Sequence, residues 1–327
     1  MVSQMYLNEV LQLDKTMGSI KKIDLFLSGC NKKSIEYYKA FCYRNIVLHS
    51  IGKTNDALKA LYALTTEFSK LGAEEIITIC DAIIDITLSV KCFEQARKFI
   101  DEKKKHLKVS NAILNTKDEI RLAIGKHDYN RAIAELKGYL KEILTIEETC
   151  WGYELLANIY YEVHDYPSYL EIIPQLEKIY QDNLNTLKLI DLEYKKLDIA
   201  FNEGNYIKVI CEGNRLLNDY DLEVETKLKT ATLLLESYIF SKDYRKASIM
   251  ESNYEEFLEQ VSPVTALAFS KASLRLYTET NSLISMKHYQ DLVTQYSQNK
   301  KKIKQKEALS GQGIIIPALK EAEAPKE

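Results

Sequence analysis

The chain has 327 residues, of which 46% are hydrophobic, so it is long enough to bury a substantial core. Its 44 basic and 47 acidic residues leave a formal net charge of -3, so no overall basic field attracts nucleic acid or an anionic membrane. Eleven glycines and five prolines are few for this length, which disfavours a β protein with many tight turns and favours long helices.

Neither export nor membrane insertion is indicated by the sequence. The N-terminal stretch MVSQMYLNEVLQLDK lacks the apolar core of a signal peptide, and no run of about 18 apolar residues predicts a membrane span. The six cysteines are scattered through apolar patterns and form no Cys-x-x-Cys or Cys/His cluster with metal-ligand spacing. We therefore expect a cytoplasmic protein with reduced cysteines, no integral membrane segment, no metal and no cofactor.

Similar segments recur along the chain at intervals of about 38 residues. Each contains a polar or small residue, then usually an aromatic one, and a small or apolar residue three places later. The segments are GKTNDALKAL from Gly52, VKCFEQARKFI from Val90, KHDYNRAIAEL from Lys126, VHDYPSYLEII from Val163, EGNYIKVICEG from Glu203 and SKDYRKASIME from Ser241.

Each of these six segments lies between two stretches that are predicted to be helical. Around Tyr166, for example, TCWGYELLANIYYEV upstream and SYLEIIPQLEKIYQ downstream both place apolar residues at helical spacing. The repeating unit is therefore a helix, a short turn and a second helix. One such unit cannot bury its apolar stripes alone, whereas a stack of units buries a continuous core.

The unit resembles the tetratricopeptide repeat (TPR), most closely in WGYELLANIYYEVHDYPSYLEI. Leu156, Ala157 and Tyr160 take the leucine, small-residue and tyrosine places of the family's first helix. Asp165 and Tyr166 take the places of its turn. The resemblance implies an all-α fold, a right-handed superhelical stack of antiparallel helix pairs.

The repeats divide the chain into three parts. We expect a partial N-terminal helix pair at residues 1–36, TPR-like helical repeats at 37–298, and a basic, then flexible tail or linker at 299–327. The last helix pair has an eroded turn motif and is expected to close the stack. Within the tail, the segment GIIIPAL is either a docking motif or the edge of a further domain.

Catalytic chemistry finds no support in the sequence. It contains no dinucleotide or phosphate-binding glycine motif, no His-Glu-x-x-His and no nucleophile elbow. His127 and His164 each precede an aspartate, but packed helices lie about 8–10 Å apart, so equivalent residues of neighbouring repeats are too distant to share a metal ion. We interpret His-Asp-Tyr as a turn in which the aspartate caps the second helix.

A partner-binding groove is implied by the resemblance, because the first helices of TPR proteins line a concave face. Carried over residue by residue, the groove consists of Lys117 and Arg121 in the fourth repeat, Trp151, Glu154, Asn158 and Tyr161 in the fifth, and Asp191, Tyr194, Asp198 and Phe201 in the sixth. The family's carboxylate clamp is not matched, since Arg121 stands where its asparagine belongs. The alternative for Trp151, Tyr161 and Phe201 is that they belong to the core.

The sequence thus favours a non-enzymatic scaffold that binds a protein or peptide partner in its groove, without nucleic acid. The alternative is a sensory or regulatory module, either a peptide-responsive regulator or the N-terminal part of a larger signalling protein whose output domain lies beyond the tail. Neither the partner nor the oligomeric state is predicted by the sequence.

Overall fold

The computed structural model describes residues 6–108, 112–142 and 144–310, and these residues form helices and connecting turns with no β-strand. They divide into two compact units: an N-terminal unit that ends at residue 142 among the described residues, and a C-terminal unit of residues 144–310. Within each unit, consecutive helices pair through short turns and pack against the next pair. The fold is all-α and TPR-like, as predicted.

The N-terminal unit begins with two helices that precede the regular pairs. Its helices are α1 (Leu7–Leu11), α2 (Met17–Gly29), α3 (Ile35–Ser50), α4 (Thr54–Thr65), α5 (Ala73–Ser89), α6 (Phe93–His106), α7 (Ala112–Gly125) and α8 (Tyr129–Tyr139), with a short 3-10 turn at Phe68–Lys70. The first helices of its pairs are α3, α5 and α7, and α3 packs against α5 directly.

The C-terminal unit contains four helix pairs. Its helices are α9 (Ile146–Glu162), α10 (Tyr166–Asp182), α11 (Thr186–Asn202), α12 (Tyr206–Asp219), α13 (Val224–Phe240), α14 (Tyr244–Tyr254), α15 (Pro263–Glu279) and α16 (Leu283–Ser310), with a 3-10 segment at Glu255–Gln260. The first helices are α9, α11, α13 and α15. The last helix, α16, extends twelve residues beyond 298, where we expected the tail to begin.

The small residues of the repeat are buried where two helices approach closely. Ala96, Ala132 and Ala247, each three residues after the recurring aromatic position, are fully buried. A methyl side chain at this position lets the second helix lie against the first without a gap or a clash. Tyr169 occupies the same position in the fifth repeat and is also fully buried.

The turn inside each helix pair is built around one residue with positive φ. The amide of that residue bonds to the carbonyl three residues earlier, and the next amide bonds to the carbonyl five residues earlier, which is the Schellman ending of a helix. The seven residues with positive φ within pairs are Gly52, Lys91, His127, His164, Gly204, Lys242 and Asn281. The last pair, despite its eroded motif, therefore keeps the same turn.

The structure explains the His-Asp-Tyr segments as turns. His127 and His164 are the left-handed residues, a conformation in which histidine is enriched relative to most other residues with a side chain. The following Asp128 and Asp165 accept hydrogen bonds from amides three residues on and cap α8 and α10, as predicted. Each histidine Nδ1 lies 2.8 Å from the hydroxyl of the tyrosine two places later, so both rings are held locally.

In several pairs the aromatic residue at the start of the second helix contacts the end of the next first helix. Tyr166 accepts a hydrogen bond of 3.3 Å from Asn202, and the ring of Tyr206 stacks on Phe240 with centroids 4.6 Å apart. Phe93 lies so close to Gly125 that a Cβ there would meet the ring at 2.7 Å. The recurring aromatic thus joins neighbouring repeats.

Candidate partner-binding cleft

A cleft of about 390 Å³ lies on the first helices of the C-terminal unit. Three successive first helices contribute to it: α9, α11 and α13, together with the residue that caps α13. The lining residues are Tyr161, Leu187, Ile190, Asp191, Tyr194, Lys195, Glu223, Thr226 and Lys229. Three residues of the predicted groove, Tyr161, Asp191 and Tyr194, are therefore brought together here.

Tyr161 forms one wall of the cleft and is held on several sides. Its hydroxyl donates a hydrogen bond to Oδ2 of Asp198, and its ring packs against Tyr169 with centroids 5.7 Å apart. Burial and the bond to Asp198 both raise the pKa of Tyr161, so its hydroxyl stays protonated near neutral pH. Asp198 also accepts a bond of 3.2 Å from Asn202.

Lys195 crosses the floor of the cleft and joins residues of two repeats. Its Nζ atom lies 2.9 Å from Oδ2 of Asp191, 3.2 Å from Oδ1 of Asn158 and 5.7 Å from the centroid of the Tyr161 ring. Asn158 is exposed, but its amide oxygen is used within the protein. The polar atoms at this end of the cleft are therefore ordered before any partner binds.

Tyr194 forms a half-buried part of the lining. It packs against a cluster of buried residues that includes Ile190 and Leu197. Burial raises the pKa of Tyr194, and the carboxylates of Asp198 and Asp191 raise it further. Its hydroxyl is therefore a neutral group near pH 7.

The first two turns of α13 form another wall of the cleft. Lys229 is partly exposed and lies 3.5 Å from Oε1 of Glu225. Glu225 accepts hydrogen bonds from the Ser262 amide at 2.8 Å and the Thr265 hydroxyl at 2.5 Å. Burial raises the pKa of Glu225, but these hydrogen bonds outweigh it, and the net pKa is lowered. The carboxylate is thus ionised and positions the lysine on α13.

The other predicted groove residues of this unit do not line the cleft. Glu154 accepts a hydrogen bond of 2.6 Å from Tyr180 and lies 3.2 Å from Nζ of Lys188. Phe201 packs against two rings, those of Tyr206 and Phe240, with centroids 5.6 and 6.0 Å away. Trp151 is half-buried on α9. Phe201 accordingly contributes to contacts between repeats.

The remaining two predicted residues lie in the N-terminal unit. Arg121 forms ion pairs with Asp85 at 2.7 Å and with Asp118 at 3.5 Å. Lys117 is half-buried, with Nζ 5.8 Å from the centroid of the Tyr139 ring. Both side chains therefore interact within their own unit.

Sequence reasoning missed six of the lining residues: Leu187, Ile190, Lys195, Glu223, Thr226 and Lys229. A signal existed for Lys229, because it occupies in α13 the position that Asp191 occupies in α11, thirteen residues before the left-handed turn residue. The groove pattern extended by one repeat would have included it. Leu187 lies one turn before the first groove position of α11 and Lys195 lies next to Tyr194, and only the packing of α11 turns them into the cleft.

The described residues were also compared with the requirements of metal sites and membrane spans. Among the described residues, no group of three or more His, Cys, Asp or Glu side chains is arranged to hold a metal ion. In the same part of the chain, every helix is too short or too polar to cross a bilayer. The six cysteines all lie in described residues and are free thiols.

The chain is similar to solved structures of low sequence identity. The chain is similar to a Rap protein solved in complex with Competence and Sporulation Factor, with 12% identity over 93% of this chain and 98% of that one and a TM-score of 0.47. It is similar to the apo form of RapI, with 13% identity, coverage of 90% and 97% and a TM-score of 0.47. For the TPR domain of P58(IPK) the values are 12%, 93%, 95% and 0.30. No protein-family model and no curated protein matches the sequence.

Proposed function

We propose that the chain is a non-enzymatic TPR-like module that binds a segment of a protein or peptide partner in the cleft of its C-terminal unit. The observation that carries the proposal is that three successive first helices, α9, α11 and α13, line one cleft. A ligand that follows such a cleft contacts several repeats at once. An extended chain fits this arrangement, and the stacked repeats of solenoid proteins are used in this way.

The residues that line the cleft supply the apolar contacts and the hydrogen bonds that a bound peptide needs. Leu187 and Ile190 are apolar, and the rings of Tyr161 and Tyr194 add large contact surfaces that lose little conformational entropy on binding. A peptide backbone has donors and acceptors in equal number, so a matching cleft needs both. Asp191 accepts hydrogen bonds, and the tyrosine hydroxyls and lysine ammonium groups donate them.

Only some residues of the predicted groove are proposed to contact the partner. Tyr161, Asp191 and Tyr194 are proposed to contact the partner, whereas Asn158 and Asp198 are proposed to hold Lys195 and Tyr161 in position. Trp151, Glu154 and Phe201 then serve the packing of the C-terminal unit. Lys117 and Arg121 serve the N-terminal unit.

The proposal is tested with two matched variants of the full chain. Leu187 is 65% exposed and lines the cleft, while Ile207 is 82% exposed on the second helix α12 and does not. Replacing either by aspartate leaves the core intact. Tagged protein is expressed in its native cells, and cross-linked partners are quantified by mass spectrometry.

We expect Leu187→Asp to reduce recovery of the partner by about tenfold or more, because a carboxylate buried against an apolar group costs well over 1.4 kcal/mol. Ile207→Asp should recover the partner as the wild type does. Equal recovery with the two variants would contradict binding in the cleft. The regulatory hypothesis further requires that occupancy of the cleft alters a second interaction, which the same cross-linking detects as a second partner that changes with Leu187→Asp.

A further inference from the structure

A second cavity lies in the N-terminal unit and has a volume of about 530 Å³. It is formed by the end of α6, the first turns of α7 and the middle of α8. Asn115 and Glu119 line it, and each is two residues from Lys117 on α7. Because an α-helix turns about 100° per residue, these side chains lie on nearly the opposite side of α7 from the predicted groove residues.

Asn115 presents a buried polar group on the wall of this cavity. It is only 9% exposed, and its Oδ1 atom has no hydrogen-bond partner. Buried side-chain oxygens in folded proteins nearly always accept a bond, because the bond to water lost on burial must be replaced. A ligand that brings an N–H group into the cavity supplies the missing donor.

Positive charge surrounds the same cavity. Lys104 and Lys108 line it, are exposed, and form no ion pair with any described residue. Glu119 also lines it, but its carboxylate is held by Arg97 at 2.5 and 2.8 Å and by Arg131 at 2.8 Å. The charge of this glutamate is therefore already compensated from within the protein.

The balance of charge remains positive when the last acidic residue is included. Glu135 lines the cavity, with its carboxylate 4.0 Å from Arg131. Four cations, Arg97 behind the wall among them, are then balanced in part by three carboxylates, because Arg97 also pairs with Asp101 at 3.7 Å. A site with this excess attracts an anionic group, and the two exposed lysines are the cations available to pair with it.

We propose that this cavity binds an acidic peptide segment. Carboxylates of the segment pair with Lys104 and Lys108, and one of its backbone N–H groups donates to Oδ1 of Asn115. An inorganic anion such as sulfate matches the lysines but brings no N–H donor, and it fills only a small part of a cavity in the range of about 300–1,000 Å³ typical of ligand sites. This site is independent of the cleft in the C-terminal unit.

The test uses the full chain and a fluorescein-labelled tetraglutamate peptide with blocked ends, with fluorescence anisotropy at low ionic strength as the readout. Lys104→Glu/Lys108→Glu reverses the two exposed charges of the cavity. Lys59→Glu/Lys98→Glu is the matched control, because both of its lysines are exposed in the same unit away from the cavity. Each pair of substitutions changes the formal net charge from -3 by the same four units.

We expect the cavity variant to bind the peptide at least about tenfold more weakly than the wild type, and the control variant to remain within about twofold. A tetraglutamine peptide should bind far more weakly than tetraglutamate. No binding of tetraglutamate by the wild type, or equal losses in the two variants, overturns the proposal. Sulfate binding that depends on Lys104 and Lys108, without peptide binding, overturns it in favour of a small-anion site.

The role of the amide is tested by Asn115→Leu, which removes the unpartnered oxygen at similar volume. We expect the midpoint of thermal unfolding to stay equal or rise, since the buried oxygen has no partner to lose, while peptide affinity falls. A lowered midpoint with unchanged peptide affinity would show that the amide serves folding alone. That result overturns the assignment of Asn115, and the lysine variants test the site independently if this variant does not fold.

Discussion

The two units use equivalent positions of their first helices differently. In the N-terminal unit, Asp85 and Arg121 lie six residues before the left-handed turn residue of their pairs and form an ion pair of 2.7 Å. In the C-terminal unit, Asp198 occupies that position and accepts a hydrogen bond from Tyr161. The same face of the repeat is thus joined by charges in one unit and by tyrosine in the other.

A buried lysine adds further ion pairs between the helices of the N-terminal unit. Lys103 on α6 is 3% exposed and lies 2.5 Å from Asp81 on α5 and 2.6 Å from Asp118 on α7. Burial lowers the pKa of Lys103, but the two carboxylates raise it more, and the net pKa is raised. The helices α5, α6 and α7 are therefore joined by one ionic network, to which Arg121 adds a second cation.

Residues at equivalent positions of different repeats therefore do not share one structural role. What decides the role is the side chain that the adjacent repeat presents. Where an aspartate lies beside an arginine, the two side chains form an ion pair with each other. Where tyrosines and lysines line α9, α11 and α13, a cleft remains. Substitutions at these contacts test the difference between the two units.

The ionic network should be the most sensitive feature of the N-terminal unit. Lys103→Met removes its central cation and leaves Asp118 buried with only the more distant Arg121, so we expect a loss of about 3–5 kcal/mol in the free energy of unfolding. Urea denaturation measures it. Lys105→Met, on the exposed side of α6, should cost less than about 0.5 kcal/mol. A loss below about 1 kcal/mol for Lys103→Met would show that the network is not structural.

The hydrogen bond between Tyr161 and Asp198 in the C-terminal unit should contribute less to the free energy of unfolding than the ionic network does. Tyr161→Phe deletes the hydroxyl that donates to Asp198, and because Asp198 keeps its bond to Asn202, we expect a loss of about 1–2 kcal/mol. A double-mutant cycle with Asp198→Asn isolates the interaction. Strict additivity of the two single losses would mean that the hydroxyl and the carboxylate do not interact.

Acid should weaken the C-terminal unit through Glu225. Its pKa in the folded protein is lowered below the ordinary value of 4.5, so the folded state binds this proton less readily than the unfolded state. The resulting stability is present above that value and is lost as the pH falls through the folded pKa. We expect the wild type to lose more stability than Glu225→Gln between about pH 6 and pH 3 in urea titrations. Parallel pH profiles would contradict this.

We expect substitutions of the two turn histidines to have the smallest effects on stability, and effects of similar size in both units. His127→Gly and His164→Gly each relieve a left-handed residue of its Cβ, which gains about 1 kcal/mol, but each also loses an exposed contact with a tyrosine hydroxyl. We expect changes within about 1 kcal/mol of zero in both units. Gly204→Ala, at the equivalent turn, should instead destabilise by about 1 kcal/mol. A large loss for one histidine alone would assign it a role beyond the turn.

The amino-acid pattern was sufficient to predict the helix pairs, because each repeat places its apolar and small residues at helical spacing and its polar capping residue at the turn. Asp128 and Asp165 cap helices as predicted. The sequence did not reveal that a histidine, lysine, glycine or asparagine fills the left-handed place, because the turn requires a backbone conformation and not a particular side chain.

The repeat, its turns and the face of the first helix that is available for contacts all follow from the amino-acid pattern. Which residues of that face remain available depends on how the helices pack. Arg121 and Asp198 are engaged by side chains more than thirty residues away, and Lys195 is turned into the cleft by the packing of α11. Such pairings depend on distances between helices that local spacing does not specify, and the unpartnered oxygen of Asn115 is visible only once its neighbours are in place.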